Sequence, residues 1–200
     1  YYANVYDEQT KIGEIENENA QTQFSISYGH KSGHGSRVGN RSSVVTQAIY
    51  NQYRNILLGP GDETFTFTSD NSALSGMDRD SFFVINFSST ALKDRLDEGN
   101  LEFTLSLNAR FEYTQDDNTT FIEQTFSQTF RDDSRFETEV LSATGEKKVG
   151  KSFNIIKGTL ADGSPQTIDK YATGTGDGSG EGFGLLYPDL GIIILNPHAL

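Results

Sequence analysis

Leu101-Glu-Phe-Thr-Leu-Ser-Leu107 is the stretch that decides the fold class. Leu101, Phe103, Leu105 and Leu107 alternate with Glu, Thr and Ser, and a period of two is what a strand needs to put one face on a core and the other in water. Toward the C-terminus, Phe111 and Tyr113 resume the alternation after a break, and Asp116-Asp-Asn118 is a turn signal. Phe121 to Phe130 is rich in Thr, Phe and Gln, a composition that favours strands. Toward the N-terminus, Ser81 to Phe87 contains the apolar run Phe-Phe-Val-Ile, consistent with a buried strand.

The same period recurs along the chain. Phe24, Ile26 and Tyr28 predict a half-buried strand, Phe65 and Phe67 sit between Thr residues, and Val140 to Ser142 is the centre of another strand. Thr144-Gly-Glu-Lys147 reads as a hairpin turn before Phe153-Asn-Ile-Ile156. Gly occupies every second position from Gly174 to Gly184, ahead of Leu185 to Leu190 and of Gly191-Ile-Ile-Ile-Leu195. Helical spacing is clear once. Val45, Ile49, Tyr53 and Ile56/Leu57 recur with Val44, Ala48 and Gln52 beside them, Ser42 or Ser43 is a suitable N-cap, and Gly59-Pro60-Gly61 is a stop. This predicts a helix over 43–58. Leu92 and Leu96, four apart and followed by Gly99, predict a short helix near 90–98.

The expected fold is therefore α+β and β-dominated, with about eight to ten short, mainly antiparallel strands around one amphipathic helix. Residues 1–22 read as a polar, acidic N-terminal segment. Residues 23–170 read as the β-rich core, and 171–200 as a Gly-rich loop followed by an apolar strand. An N-terminal Tyr and so apolar a stretch near the C-terminus lead to the expectation that the native chain is longer.

Composition narrows the chemistry. The 200 residues carry 16 Lys+Arg against 28 Asp+Glu, a net charge of -12, with no Cys and no Trp. Disulfides and Cys-based zinc sites are excluded. Binding to nucleic acid or anionic membranes needs clustered cations, so neither is expected. No apolar run approaches the roughly 20 residues of a membrane-spanning helix.

No motif supplies an active site. His30 and His34 lie in Gly29-His-Lys-Ser-Gly-His-Gly35, where a metal would need a third ligand from elsewhere, so they read as two solvated loop histidines. Gly174-Thr-Gly-Asp-Gly-Ser-Gly180 lacks the Lys and Ser/Thr of a phosphate loop, since Glu181 and Gly182 take their places. Asp177 there suits Ca²⁺, but the calcium-loop spacing is absent. His30, His34 and Asp177 are thus weak metal candidates. The pairs Asp78/Asp80, Asp116/Asp117 and Asp132/Asp133, and the group Asp94/Asp97/Glu98, read as solvated turns and not as opposed acid–base pairs. Gly-x-Ser-x-Gly is missing, which leaves nucleophilic catalysis without support. No enzyme activity and no cofactor is expected.

Three segments in order carry a resemblance. They are Tyr28-Gly-His-Lys-Ser-Gly-His-Gly-Ser36 leading into Thr46-Gln-Ala-Ile-Tyr-Asn-Gln-Tyr-Arg-Asn-Ile-Leu-Leu58; Phe83-Val-Ile-Asn-Phe87 followed by Leu92-Lys-Asp-Arg-Leu-Asp-Glu-Gly-Asn-Leu-Glu-Phe-Thr-Leu105; and Gly184-Leu-Leu-Tyr-Pro-Asp-Leu-Gly-Ile-Ile-Ile-Leu-Asn196. Together they resemble virion structural proteins of contractile-tailed bacteriophages, particularly those of marine cyanobacteria. The resemblance implies a tail or baseplate component, made in the cytoplasm of a bacterial host and built as a homo- or hetero-oligomer beside other virion proteins. It carries over no catalytic residue. Tyr28, His30, His34, Arg37, Tyr50, Tyr53, Arg54, Tyr187, Pro188 and Asp189 are the expected assembly residues. Tyr28 to Arg41 is expected to order only against a neighbouring subunit. The alternative is a receptor- or carbohydrate-binding β-domain on a virion or cell surface.

Overall fold

Ile192-Ile-Ile-Leu195 has no polar side chain, and it occupies the middle of the sheet, where both faces of a strand are buried. The computed structural model describes residues 2–6, 22–35, 44–67, 78–89, 92, 94–115, 118–136, 150–161, 182–197 and 199–200. Among them run β1 (Tyr2–Tyr6), β2 (Thr22–His30), α1 (Val44–Leu57), β3 (Phe65–Thr66), β4 (Asp78–Arg79), β5 (Ser81–Phe87), β6 (Glu102–Gln115), β7 (Asn118–Asp132), β8 (Phe153–Lys157), β9 (Gly184–Tyr187) and β10 (Ile192–Leu195). Eight strands form one antiparallel sheet in the order β1-β2-β5-β10-β9-β8-β7-β6, and β3 pairs with β4. The fold is α+β and β-dominated.

Each face of the sheet has its own apolar cluster. On one, Tyr50, Tyr53 and Leu57 of α1 pack with Phe82 and Val84 of β5, Leu185 and Tyr187 of β9, and Ile192 and Ile194 of β10. On the other, Ile85, Phe130, Ile155, Leu186, Ile193 and Leu195 meet. Phe24 and Ile26 from β2 lie against this second cluster, as do Phe103 and Leu105 from β6. These strands stand near opposite ends of the sheet order, so the sheet curls to close its second face on itself.

Several expectations need correction. The helix is present, but its buried residues are Thr46, Tyr50, Tyr53 and Leu57. Val44 (62 % exposed), Val45 and Ile56 point outward, because the stripe 46/50/53/57 places two aromatic rings over Phe82. Residues 94–98 form bends and turns instead of a helix. The Leu96 N–H donates to the Pro188 carbonyl (3.0 Å), so it is diverted from the Leu92 carbonyl that a helix would require. The N-terminal segment 1–22 contributes an edge strand, β1. The strands β6 and β7 are long, at 14 and 15 residues, and pair without a register shift from Glu102↔Arg131 to Gln115↔Asn118. That continuous ladder carries the chain through the polar break at Asn108–Arg110. Both Ser42 and Ser43, the strand at 140–142, the turn at 144–147 and the acidic stretch 7–18 lie outside the described residues.

Backbone proximity sets one sharp limit at the centre. A Cβ on Gly184 would lie 2.3 Å from the carbonyl oxygen of Ile194 on the paired strand. Gly184→Ala is expected to cost about 1–3 kcal/mol through forced strand displacement, read as a lowered thermal midpoint. Gly59→Ala, whose Cβ meets only Asp62 Oδ2 at 3.9 Å, is the control that should leave the midpoint nearly unchanged.

Candidate functional site

The resemblance pointed first to the end of β2. His30 is its last residue and is half-buried, and the rings of His30 and His34 approach to 4.6 Å between centroids. Tyr28 packs on Phe83 at 5.2 Å and lies 6.4 Å from His30. The His30 Nδ1 accepts the Ser32 N–H (3.1 Å), and the buried Thr46 hydroxyl donates to the His34 carbonyl (2.9 Å). Tyr28 to Gly35 thus makes contacts with its own chain and its own helix, and residues 36–41 of the stretch expected to order against a neighbour lie outside the described residues. The two histidines are not independent solvated side chains either. At Gly29, beside them, an added Cβ would sit 2.8 Å from the Phe82 ring and 3.1 Å from Tyr50 Cα, so the missing side chain lets the helix lie close on β2. Among the described residues, no three His, Asp or Glu side chains gather as a metal site.

The other expected assembly residues separate into core and surface. Tyr50, Tyr53, Tyr187 and Pro188 are buried in the fold. Burial holds the Tyr53 phenol above its ordinary pKa, while a hydrogen bond with Asn86 pulls it back. Burial, reinforced by Asp62, pushes the Tyr187 phenol further up, and its hydroxyl has no partner among the described residues. Arg54 is half-buried in the last turn of α1. Asp189 is exposed and faces Arg95 at 3.7 Å. It lines an open cleft of about 590 Å³ with Thr22, Ser25, Asn86, Ser88 and Asp94. Arg37 and Asp177 lie outside the described residues.

What sequence reasoning missed is the root of the β6–β7 hairpin. Asp132 and Asp133, expected as a solvated turn, are 2 % and 0 % exposed. Asp132 Oδ2 accepts the Gly99 N–H (2.6 Å) and the Ser134 hydroxyl, and Oδ1 accepts the Leu101 N–H (3.2 Å). Asp133 takes the Asn154 backbone N–H (2.9 Å) and side-chain amide (3.0 Å). Arg131, also buried, donates to the Thr159 carbonyl (2.8 Å) and stacks over Phe136. Donors of the loop at Gly99–Leu101 and of Ser134 meet Asp132, and donors of Asn154 in β8 meet Asp133, as buried carboxylates require. Only the succession of charges before Ser134 was visible in sequence, and it does not report burial.

Beyond this root the described pairing of β7 is with β6. The strand β7 pairs with β8 only at Phe130, Arg131 and Asp132. From Thr129 to Asn118 its described partner is β6 alone. At about 3.4 Å per residue the ribbon is on the order of 45 Å long. Directly paired residues share a face, so the register sets Phe103 with Phe130 and Leu105 with Gln128 on one side. Thr104 with Thr129 and Ser106 with Ser127 lie on the other, their hydroxyls hydrogen-bonded across the strands. Phe126 is 44 % exposed.

No protein-family model, curated protein or solved structure matches the chain.

One pH dependence follows from the histidine pair. Burial, and secondarily the neighbouring His34, hold His30 below its ordinary value of 6.5, against an opposing pull from Asp80. The unfolded chain then binds more protons at this site, so stability is lost as pH falls from 6.5 toward the folded value. Thermal midpoints measured from pH 7.5 downward should decline through this window. With His30→Gln the decline should be shallower.

Proposed function

We propose that the chain is a structural subunit of a contractile-tailed bacteriophage virion, in the tail or baseplate, acting by protein–protein assembly. The observation that carries this reading is the hairpin arm. A two-stranded ribbon alone in water is marginally stable, and among the described residues this long one pairs with the rest of the sheet at Phe130, Arg131 and Asp132. Such a ribbon gains stability when a second surface covers it. The buried charges at the root fit that use, since they fix the direction of the arm. The outward Val44, Val45 and Ile56 of α1 add apolar surface available to neighbours. Other virion proteins are the partners that the sequence resemblance implies.

The arm can be removed without touching its root. Replacing residues 107–126 by Asn-Gly leaves Ser106 opposite Ser127 across a two-residue turn and retains Phe103, Leu105 and Phe130. The shortened chain is expected to fold, with unchanged near-ultraviolet circular dichroism, and to be missing from purified particles that contain the full chain by peptide mass spectrometry. Absence of the full chain from purified phage particles, or incorporation of the shortened chain as efficient as that of the full chain, would refute the reading.

The polar cleft favours a second reading, a carbohydrate-binding β-domain. Its hydroxyl, amide and carboxylate groups suit polyol recognition, and Leu190 supplies an apolar wall. That reading expects binding on a glycan array that is lost in Asn86→Leu and unaffected by shortening the arm.

A further inference from the structure

The eight-stranded sheet ends on two very different edges. One is β1, which has five residues and a register shift between Val5 and Tyr6. Shortness and irregularity are devices that keep an edge from pairing with another chain. The other is β6, which has 14 residues, no Pro, no Lys and no register shift against β7. Among the described residues nothing is hydrogen-bonded to its outer side as a strand. An edge this long and regular presents a row of backbone donors and acceptors ready to add a strand.

We infer that the outer edge of β6 pairs antiparallel with the same edge of a second copy of this chain, about a two-fold axis through Asn108. This deepens the assembly reading and rests on it, because it names the partner of the arm. The strand's own sequence selects the occupant and the register. With Asn108 opposite itself, Phe103 lies opposite Tyr113, Leu105 opposite Phe111 and Leu107 opposite Ala109. Glu102 and Glu112 then oppose Thr114 and Thr104, and Arg110 opposes Ser106, so no charge meets its like. Centring on Leu107 instead would oppose Glu102 to Glu112, and centring on Arg110 would oppose it to itself. Any register that pairs odd with even positions sets apolar residues against polar ones. Centring on Ala109 exchanges the Phe103–Tyr113 pair for Phe103–Gln115. The Asn108 register keeps the overlap from Glu102 to Thr114 and joins the two hairpins into one four-stranded antiparallel ribbon. Such an interface is isologous and closes at two copies.

The absence of Cys provides a direct test on the whole chain. In an antiparallel pair, directly opposed Cα atoms are about 4.5–5.5 Å apart, within the reach of a disulfide. Asn108→Cys should oxidise to a disulfide-linked dimer as its main product, while Val45→Cys, on the outward side of α1, measures collisional cross-linking. Light scattering of the unmodified chain in the micromolar range should give twice 22.1 kDa, returning to the monomer mass when residues 107–126 are replaced by Asn-Gly. A monomer at all concentrations overturns the inference, as does Asn108→Cys cross-linking no better than Val45→Cys. A dimer that survives loss of the arm overturns it too. A chain that is monomeric alone but enters particles through its arm refutes self-pairing and leaves the assembly reading standing. A dimer through β6 that never enters particles supports self-pairing and refutes the virion assignment.

Discussion

Two strands buried along their whole length at the centre of the sheet, β9 and β10, constrain everything around them. Their side chains alternate between the two faces, so each face needs its own apolar cover. At roughly 25 cal/mol per Å² of apolar surface removed from water, leaving either face wet would forfeit several kcal/mol. On one face the cover is α1, brought close by Gly29 and seated through Tyr50 and Tyr53. On the other no helix is present among the described residues, and the sheet supplies the cover by curling, so that Phe24 and Ile26 approach the same cluster as Phe103 and Leu105. The rigid body of the molecule is the solution to that single demand.

A second, polar constraint operates where the body ends. Asp132 and Asp133 are buried beside Arg131 and accept hydrogen bonds from backbone donors of the loop around Gly99–Leu101 and from Asn154 of β8. Buried carboxylates persist only when donors meet them, and the donors here come from segments that must converge on the hairpin base. The result is a hairpin base fixed by hydrogen bonds to the loop at Gly99–Leu101 and to β8. A base fixed in this way suits the proposed assembly role, since a fixed direction reduces the ordering entropy lost on docking.

Much of the body was legible before any coordinates. Ser81–Phe87 is a strand over the residues that its apolar run marked, the helix ends near Gly59-Pro60-Gly61, and the Ile triplet is a buried strand. Local period and turn chemistry suffice for such elements, because the burial pattern is printed along the chain. The candidate site was far less legible. Tyr50, Tyr53 and Tyr187 have the composition of interface residues but lie in the core, whereas Val44 and Ile56 look like core residues and face outward. A ring and an aliphatic side chain compete for the same helix face, and the outcome depends on what stands opposite, here Phe82. Nor does the doublet Asp132-Asp133 differ in sequence from Asp116-Asp117, although its carboxylates are buried among donors that lie far away along the chain.

What the sequence alone determined was the β-dominated class, the single long helix and the absence of any disulfide or Cys-bound metal, since each follows from residue type and local spacing. The tertiary structure decided the rest. It bent Leu96 away from a helix by giving its N–H to Pro188, fused two short strand predictions into a ribbon by pairing them throughout, and buried an Asp pair by bringing loops to it. It also assigned one edge of the sheet to be short and irregular and the other to be long and open. All these are non-local. They depend on which backbone and which side chains meet across the fold, and no window of sequence contains both partners.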